Sequence, residues 1–252
     1  MRIYLISVTL LSTLFLAPLS VSAQNQELPE YTIYRAGSPI VIDGRLDEPA
    51  WFAAPDVGKF QFPRYESGKQ EQTVAKLLWD DEYLYVSYLC EDAHIWAEHT
   101  QRDSPVWRDD AVEVFFAPDP DRPTAYYNFE MNVIGILLDQ FQPDGSGSGG
   151  SGEERWSSEG TRLKTSIVGT LNDDSDEDSH WILEIAIPFK NFTETAKNAP
   201  PEPGDVWHLN VNRLGGQTNP QSSQWSPSLP HFHVPEQFGR VTFSDEERPF
   251  WR

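Results

Sequence analysis

Trp107-Arg108-Asp109-Asp110-Ala111-Val112-Glu113-Val114-Phe115-Phe116 is the stretch whose reading decides the fold. It opens with a Trp and two carboxylates and then becomes strand-like. Val112, Val114 and Phe116 fall on one face at period two, and Ala111, Glu113 and Phe115 on the other. A carboxylate inside an apolar strand is costly to bury alone, so Glu113 either borders a polar groove or answers a buried cation. Residues 126–133 repeat the arrangement, with Asn128, Glu130 and Asn132 on one face and Tyr127, Phe129, Met131 and Val133 on the other. Residues 207–213 likewise group His208, Asn210 and Asn212. Any one of these faces could simply meet water. Three of them, bracketed by aromatics, predict a sheet packed on one side and recognising something polar on the other.

Outward from this centre, the chain reads as short strands throughout. Thr73–Trp79 and residues 83–89 form a hairpin across Asp80-Asp81-Glu82. Further strands are expected at 31–35, 111–116, 163–170, 181–187, 206–213 and 240–243. Another spans 126–138, bent or bulged at Gly135. Residues 93–105 carry His94, Trp96 and His99 without clean periodicity and read as loop or short helix. No long amphipathic helix is present. Nine or ten strands with Gly/Pro-rich turns predict an all-β, antiparallel β-sandwich. The Gly/Ser-rich segment 142–154 is a flexible loop by composition. Strands of the same character continue beyond it, so residues 24–252 are expected to form a single domain.

Residues 1–23 read as a secretory signal peptide: Arg2, an apolar run to Leu19, and Val21-Ser22-Ala23 as the cleavage site. The apolar run contains Ser, Thr and Pro18, which argues against a membrane span. Cleavage leaves 229 residues (252 less 23) with 18 basic and 39 acidic side chains, a charge of −21. That balance disfavours nucleic acid and anionic membranes as partners. The single Cys90 excludes an internal disulfide. A secreted (periplasmic or extracellular) product is expected.

Several stretches, in order, resemble the family 9 carbohydrate-binding modules. They are Ile42-Asp43-Gly44 with Asp47-Glu48 and Trp51; Leu78-Trp79-Asp80-Asp81-Glu82-Tyr83-Leu84-Tyr85-Val86; and Trp107-x-x-Asp110-x-Val112-Glu113-x-Phe115. The set continues with residues 127–132, the strand 181–188, Trp225-Ser226-Pro227 and Pro235-Glu236-Gln237-Phe238-Gly239, covering about 33 to 243. The resemblance implies a β-sandwich that binds carbohydrate without catalysis, in a slot between two aromatic walls. It also implies structural calcium, and a module of this kind would either hold glycan near the cell or assist a glycan-active enzyme as partner. Trp107 corresponds to one wall and Phe232 to the other, where sugar-binding members carry Trp. Glu113 and Asn132 match polar sugar contacts. Glu130 stands where those members place a basic residue, so a donor has become an acceptor, and Arg213 or the His231/His233 pair are the substitutes available. Asn212 joins the polar face, and Trp225 is either a third platform or core. Asp43, Asp47 and Asp92 are the calcium ligands implied; Asp43, Asp47 and Glu48 also read as a turn capping a short helix.

Sugar rings stack their C–H faces on aromatics while acids and amides bond the hydroxyl rim, which suits these residue types independently. Two other classes compete. A glycosidase would pair Glu113 with Glu130, or Asp109 with Asp110, as acid and base. A heme-binding sandwich would take Met131 and one of His94, His99, His208, His231 or His233 as axial ligands, but Met131 falls on the apolar face. No nucleophile-elbow or HExxH motif is present.

Overall fold

The structure is a computed structural model describing residues 27–65, 67–143 and 156–248. The expected signal peptide and most of the Gly/Ser-rich segment lie outside the described residues. Within them the chain forms β1 (Glu30–Arg35), the one-turn helix α1 (Pro49–Ala53), β2 (Thr73–Trp79), β3 (Tyr83–Glu91), β4 (Asp110–Ala117) and β5 (Tyr126–Asn132). β6 (Leu137–Gln142), β7 (Arg162–Val168), β8 (His180–Pro188), β9 (Val206–Gly215), β10 (Ser222–Gln224) and β11 (Gly239–Glu247) follow. They hydrogen-bond in the order β6-β5-β4-β9-β11-β1-β2-β3-β8-β7, with β10 on β9. This sheet curls so that its two halves face each other as the layers of a sandwich.

Two details differ from the sequence expectation. The pairings of β1 with β11 and with β2 are parallel, because β1 inserts between β11 and the first strand of the β2–β3 hairpin. The segment expected as one bent strand at 126–138 is two strands, β5 and β6, joined by a turn in which Gly135 has φ 81°. A left-handed residue there reverses the chain instead of bulging it.

Period-two alternation places one face of each central strand in a common core. Val112, Val114 and Phe116, Tyr127, Phe129 and Met131, and Trp207, Leu209 and Val211 come from one layer. Leu84, Val86, Tyr88 and Cys90, with Trp181, Leu183, Ile185 and Ile187, come from the other. Tyr88 crosses the core and donates its hydroxyl to the Glu113 carbonyl at 2.8 Å. Trp225 also lies in this core, edge-on to Tyr31 at 6.4 Å, so it is not a third sugar platform.

Arg213 follows the same parity and is turned into the core end, 2% exposed. It is therefore absent from the polar face and does not replace the basic residue lost there. Its guanidinium donates to Asp92 at 2.7 Å, lies 3.8 Å from Asp110 and stacks on Trp181 at 4.8 Å. Asp92 also accepts the Trp181 indole N–H at 3.0 Å. One buried cation thus ties β9 and β4 to the ends of β3 and β8.

The outer face of the second layer is covered by residues 36–54. There Glu184 of β8 accepts three consecutive backbone N–H groups, from Asp43, Gly44 and Arg45, at 2.8–3.2 Å. Its other oxygen takes the Trp51 indole N–H at 2.9 Å. Gly44 has φ 86°, and a Cβ there would meet the Thr165 carbonyl at 2.9 Å. The Asp-Gly turn and Trp51 are thus a structural clasp around a buried carboxylate.

Deleting one member of a buried ion pair strands its partner's charge, a loss of about 3–5 kcal/mol. Arg213→Ala should lower unfolding free energy by that order in a urea titration. A loss under about 1 kcal/mol would contradict the tie described for Arg213.

Candidate functional site

The opposite face of β4, β5 and β9 carries the acids and amides. It is not open to water, because residues 60–65, 98–109 and 222–238 lie over it. Beneath them the amides are largely spent on one another. Gln142 donates to Asn128 at 3.1 Å, Asn128 to Glu130 Oε1 at 2.9 Å, and Asn212 to Glu113 Oε2 at 3.0 Å. Asn210 donates to the Ser226 carbonyl at 2.8 Å. Buried polar groups need such partners, and the ladder supplies them.

What the ladder leaves over defines the site. Glu113 and Glu130 sit directly opposite each other on β4 and β5. They are 3% and 4% exposed and form the floor of a cavity of about 810 Å³. Glu113 Oε1 and Glu130 Oε2 make no hydrogen bond with any described residue. Trp107, 43% exposed, and Phe232, 6% exposed, both border the cavity, with Asp103, Asp139, Gln140, His231 and His233 around it. Trp107 is held on a short 3-10 turn, Val106–Arg108.

That turn is set by a buried clamp. Asp109 accepts the Glu98 and His99 backbone N–H groups at 3.1 Å each and the Asn132 amide at 2.8 Å. His99 Nδ1 lies 2.9 Å from the same carboxylate. Asn132 also donates to the His99 carbonyl and accepts the Ile136 N–H, both at 2.8 Å. Both its amide groups are occupied, so Asn132 positions the loop bearing Trp107 and does not line the cavity. Asn212 likewise acts from behind, fixing Glu113.

Arg64, which carried no sequence signal, supplies the cavity's guanidinium. It lies 4.3 Å from the Phe232 ring centre and donates to the Pro230 carbonyl at 3.0 Å and Ser222 Oγ at 3.3 Å. Leu138 and Gln140 were also missed; the β5–β6 turn, once recognised, puts both on the Glu130 face by parity. The His231/His233 pair does border the cavity, and the Tyr126 hydroxyl lies 2.7 Å from His233 Nδ1. Burial lowers the His233 pKa to about 4, leaving it neutral.

Burial, reinforced for Glu113 by the facing Glu130, holds the Glu113 carboxyl well above the ordinary range. Burial also raises Glu130 to about 7 against the stabilising Asn128 bond. Two carboxyls this close cannot both ionise cheaply, so the pair retains a proton near neutrality.

The residues implied for calcium do not share a site. Asp43 Oδ1 accepts the Arg45 N–H at 3.0 Å, Asp47 pairs with the Arg45 side chain on the surface at 2.9 Å, and Asp92 is committed to Arg213 and Trp181. Among the described residues no three His, Cys, Asp or Glu side chains converge as a metal site. These acids do not fit a common cation. Met131 is sealed in the inter-layer core, away from a heme-ligating position. Among the described residues no helix is long and apolar enough to cross a membrane.

Comparison with known proteins agrees with this architecture. No curated protein matches the chain significantly. Solved structures do. A protein of Bacteroides uniformis named for carbohydrate binding superposes with a TM-score of 0.68 at 19% identity, over 86% of this chain and all of that one. A family 9 carbohydrate-binding module of Caldicellulosiruptor kristjanssonii, solved with cellotriose, gives 0.58 at 17% identity, over 86% and 95% of the two chains. The module from that organism solved with glucose gives 0.57 at 18%, over 86% and 97%. At these identities the likeness establishes the β-sandwich fold. The model of the carbohydrate family 9 binding domain-like family matches residues 42–246, and the chain belongs to that family.

Proposed function

We propose that this protein binds carbohydrate without cleaving it, seating a sugar ring in the cavity between Trp107 and Phe232. The observation that carries this reading is the pairing of a half-exposed Trp wall with a floor of unspent carboxyl oxygens. Aromatic faces accept the C–H surface of a sugar ring, and Glu113 Oε1 and Glu130 Oε2 take its hydroxyls. The ligands of the Caldicellulosiruptor module, cellotriose and glucose, support sugar as the ligand class.

Binding without hydrolysis is the better reading of the acid pair. A glycosidase sets its two carboxyls on either side of the scissile bond. Glu113 and Glu130 are cross-strand neighbours on one floor, with Cβ atoms about 5 Å apart by sheet geometry, so both address the sugar from below. Each is also tethered by an Asn amide, which suits a fixed acceptor better than a proton shuttle. The role proposed is that of an exported module, released from its leader after Ala23, that holds glycan for a glycan-active enzyme.

Trp107 is exposed, so Trp107→Ala should leave the melting temperature nearly unchanged. Calorimetry against an oligosaccharide panel should show affinity falling tenfold or more, about 1.4 kcal/mol. Wild-type affinity in that variant would refute the wall assignment.

The acid pair also predicts a pH-dependent stability. The folded protein keeps a proton on Glu130 up to about pH 7, whereas the unfolded chain releases it near 4.5. Stability therefore falls as pH rises from about 4.5 to 7, by roughly 3 kcal/mol from this group, and levels off above. Glu130→Gln should flatten that decline in denaturant titrations and be more stable than the parent at pH 8. An unchanged slope would show that the pair is not desolvated as described.

A further inference from the structure

The cavity floor holds two facing carboxyls without an ion pair; Arg64 acts on Glu113 through space only. Among the described residues neither Glu113 nor Glu130 forms an ion pair within 4 Å, whereas the buried Asp92 and Asp139 each pair with an arginine. Asp139, on the cavity wall, is neutralised by Arg102 at 2.5 Å. Asp103, on the rim, has the same Arg102 at 3.7 Å. Arg64 is the one Lys or Arg among the lining residues, and its donors are turned to the Pro230 carbonyl and Ser222 with its face against Phe232. His233 is neutral and engaged with Tyr126. His231 Nδ1 is buried without a hydrogen-bond partner.

Each floor carboxyl has one oxygen fixed by an Asn amide and the other free toward the cavity. A neutral sugar hydroxyl can donate only one hydrogen to such a floor. A primary ammonium carries a positive charge and three donors, enough to reach both free oxygens at once.

We infer that the slot is specific for sugars bearing a free ammonium group, 2-amino-2-deoxy-hexoses of the glucosamine type, with the ammonium seated over the Glu113/Glu130 floor. This rests on the sugar-binding reading given above and refines it. The ammonium replaces the proton that the pair shares in the unliganded protein, so binding near neutrality releases a proton to solvent. The groups facing the floor are Arg64 from the segment before β2, Asp103 and Trp107 from the loop before β4, Tyr126 of β5, Asp139 of β6, and His231 and His233 after β10. Of these, Arg64 opposes a cationic ligand, while the two aspartates share the single Arg102 and together leave one net negative charge in its favour.

The test is titration calorimetry of the signal-free protein at pH 7 and low salt with glucosamine, glucose and N-acetylglucosamine, and with their β-1,4-linked dimers. The three sugars differ at the second carbon only, as ammonium, hydroxyl and uncharged amide. Glucosamine and its dimer should bind at least tenfold tighter than their neutral counterparts, and the apparent heat should vary with the buffer's ionisation enthalpy because a proton is released. Glu130→Gln and, independently, Glu113→Gln should erase the preference; both keep an oxygen for the Asn tether, and either suffices if the other fails to fold. Neutral sugars binding as tightly as glucosamine would overturn the ammonium assignment while leaving carbohydrate binding intact. Absence of heat with all six sugars, from a folded protein, would remove this inference, and silence across the wider oligosaccharide panel as well would remove the sugar reading with it.

Discussion

Strand alternation commits one face of β4, β5 and β9 to the inter-layer core, and the rest of the molecule follows from that commitment. With Phe116, Phe129 and Val211 pointing inward, every acid and amide at the intervening positions must point outward. A register slip of one residue would exchange the two sets and bury Glu113, Glu130 and Asn212 among the aromatics. The outward face is then sealed by loops, so its polar groups have to satisfy one another. They do so through a chain of amides that ends on two carboxyls with an oxygen to spare.

The same economy operates elsewhere with opposite results. Glu184 is another carboxylate on a strand's outer face, but it is saturated by three backbone N–H groups and an indole, leaving nothing for a ligand. Asp92 and Asp110 share Arg213. Asp109 is enclosed by two backbone donors, His99 and Asn132. Glu113 and Glu130 differ from all of these in being half-satisfied and facing a cavity with an aromatic wall. A buried charge left partly unanswered costs stability, and such a cost is characteristic of positions kept for binding.

The sequence made the alternation legible, because it depends only on residue type and period. The core faces of β3, β4, β5, β8 and β9 and the sandwich class could be anticipated from it, while the meeting of Trp107, Glu113, Glu130 and Phe232 around one place came from the family resemblance. Parity alone could not say what an individual side chain touches. Arg213 neighbours Asn212 in sequence and was available as a substitute donor, yet parity sends it inward to a pair of aspartates. Asn132 sits on the expected face but is spent on the loop beneath Trp107. Asp43 resembled a cation ligand because an Asp-Gly turn looks alike whether it folds around a metal or around Glu184. Arg64 lies in an irregular segment whose path is set by packing over the sheet, and no local period marks it.

The central claim is that a sugar lies against Trp107 and leaves unaltered. Following the tryptophan indole N–H resonances of the signal-free protein by NMR during titration with mono- and oligosaccharides tests both halves in one tube. The account predicts a saturable shift of the Trp107 signal, small effects on the buried indoles of Trp51, Trp79, Trp181 and Trp207, and sugar resonances that stay constant for days. A Trp107 signal unmoved by every sugar, or the appearance of shortened saccharides, would contradict it.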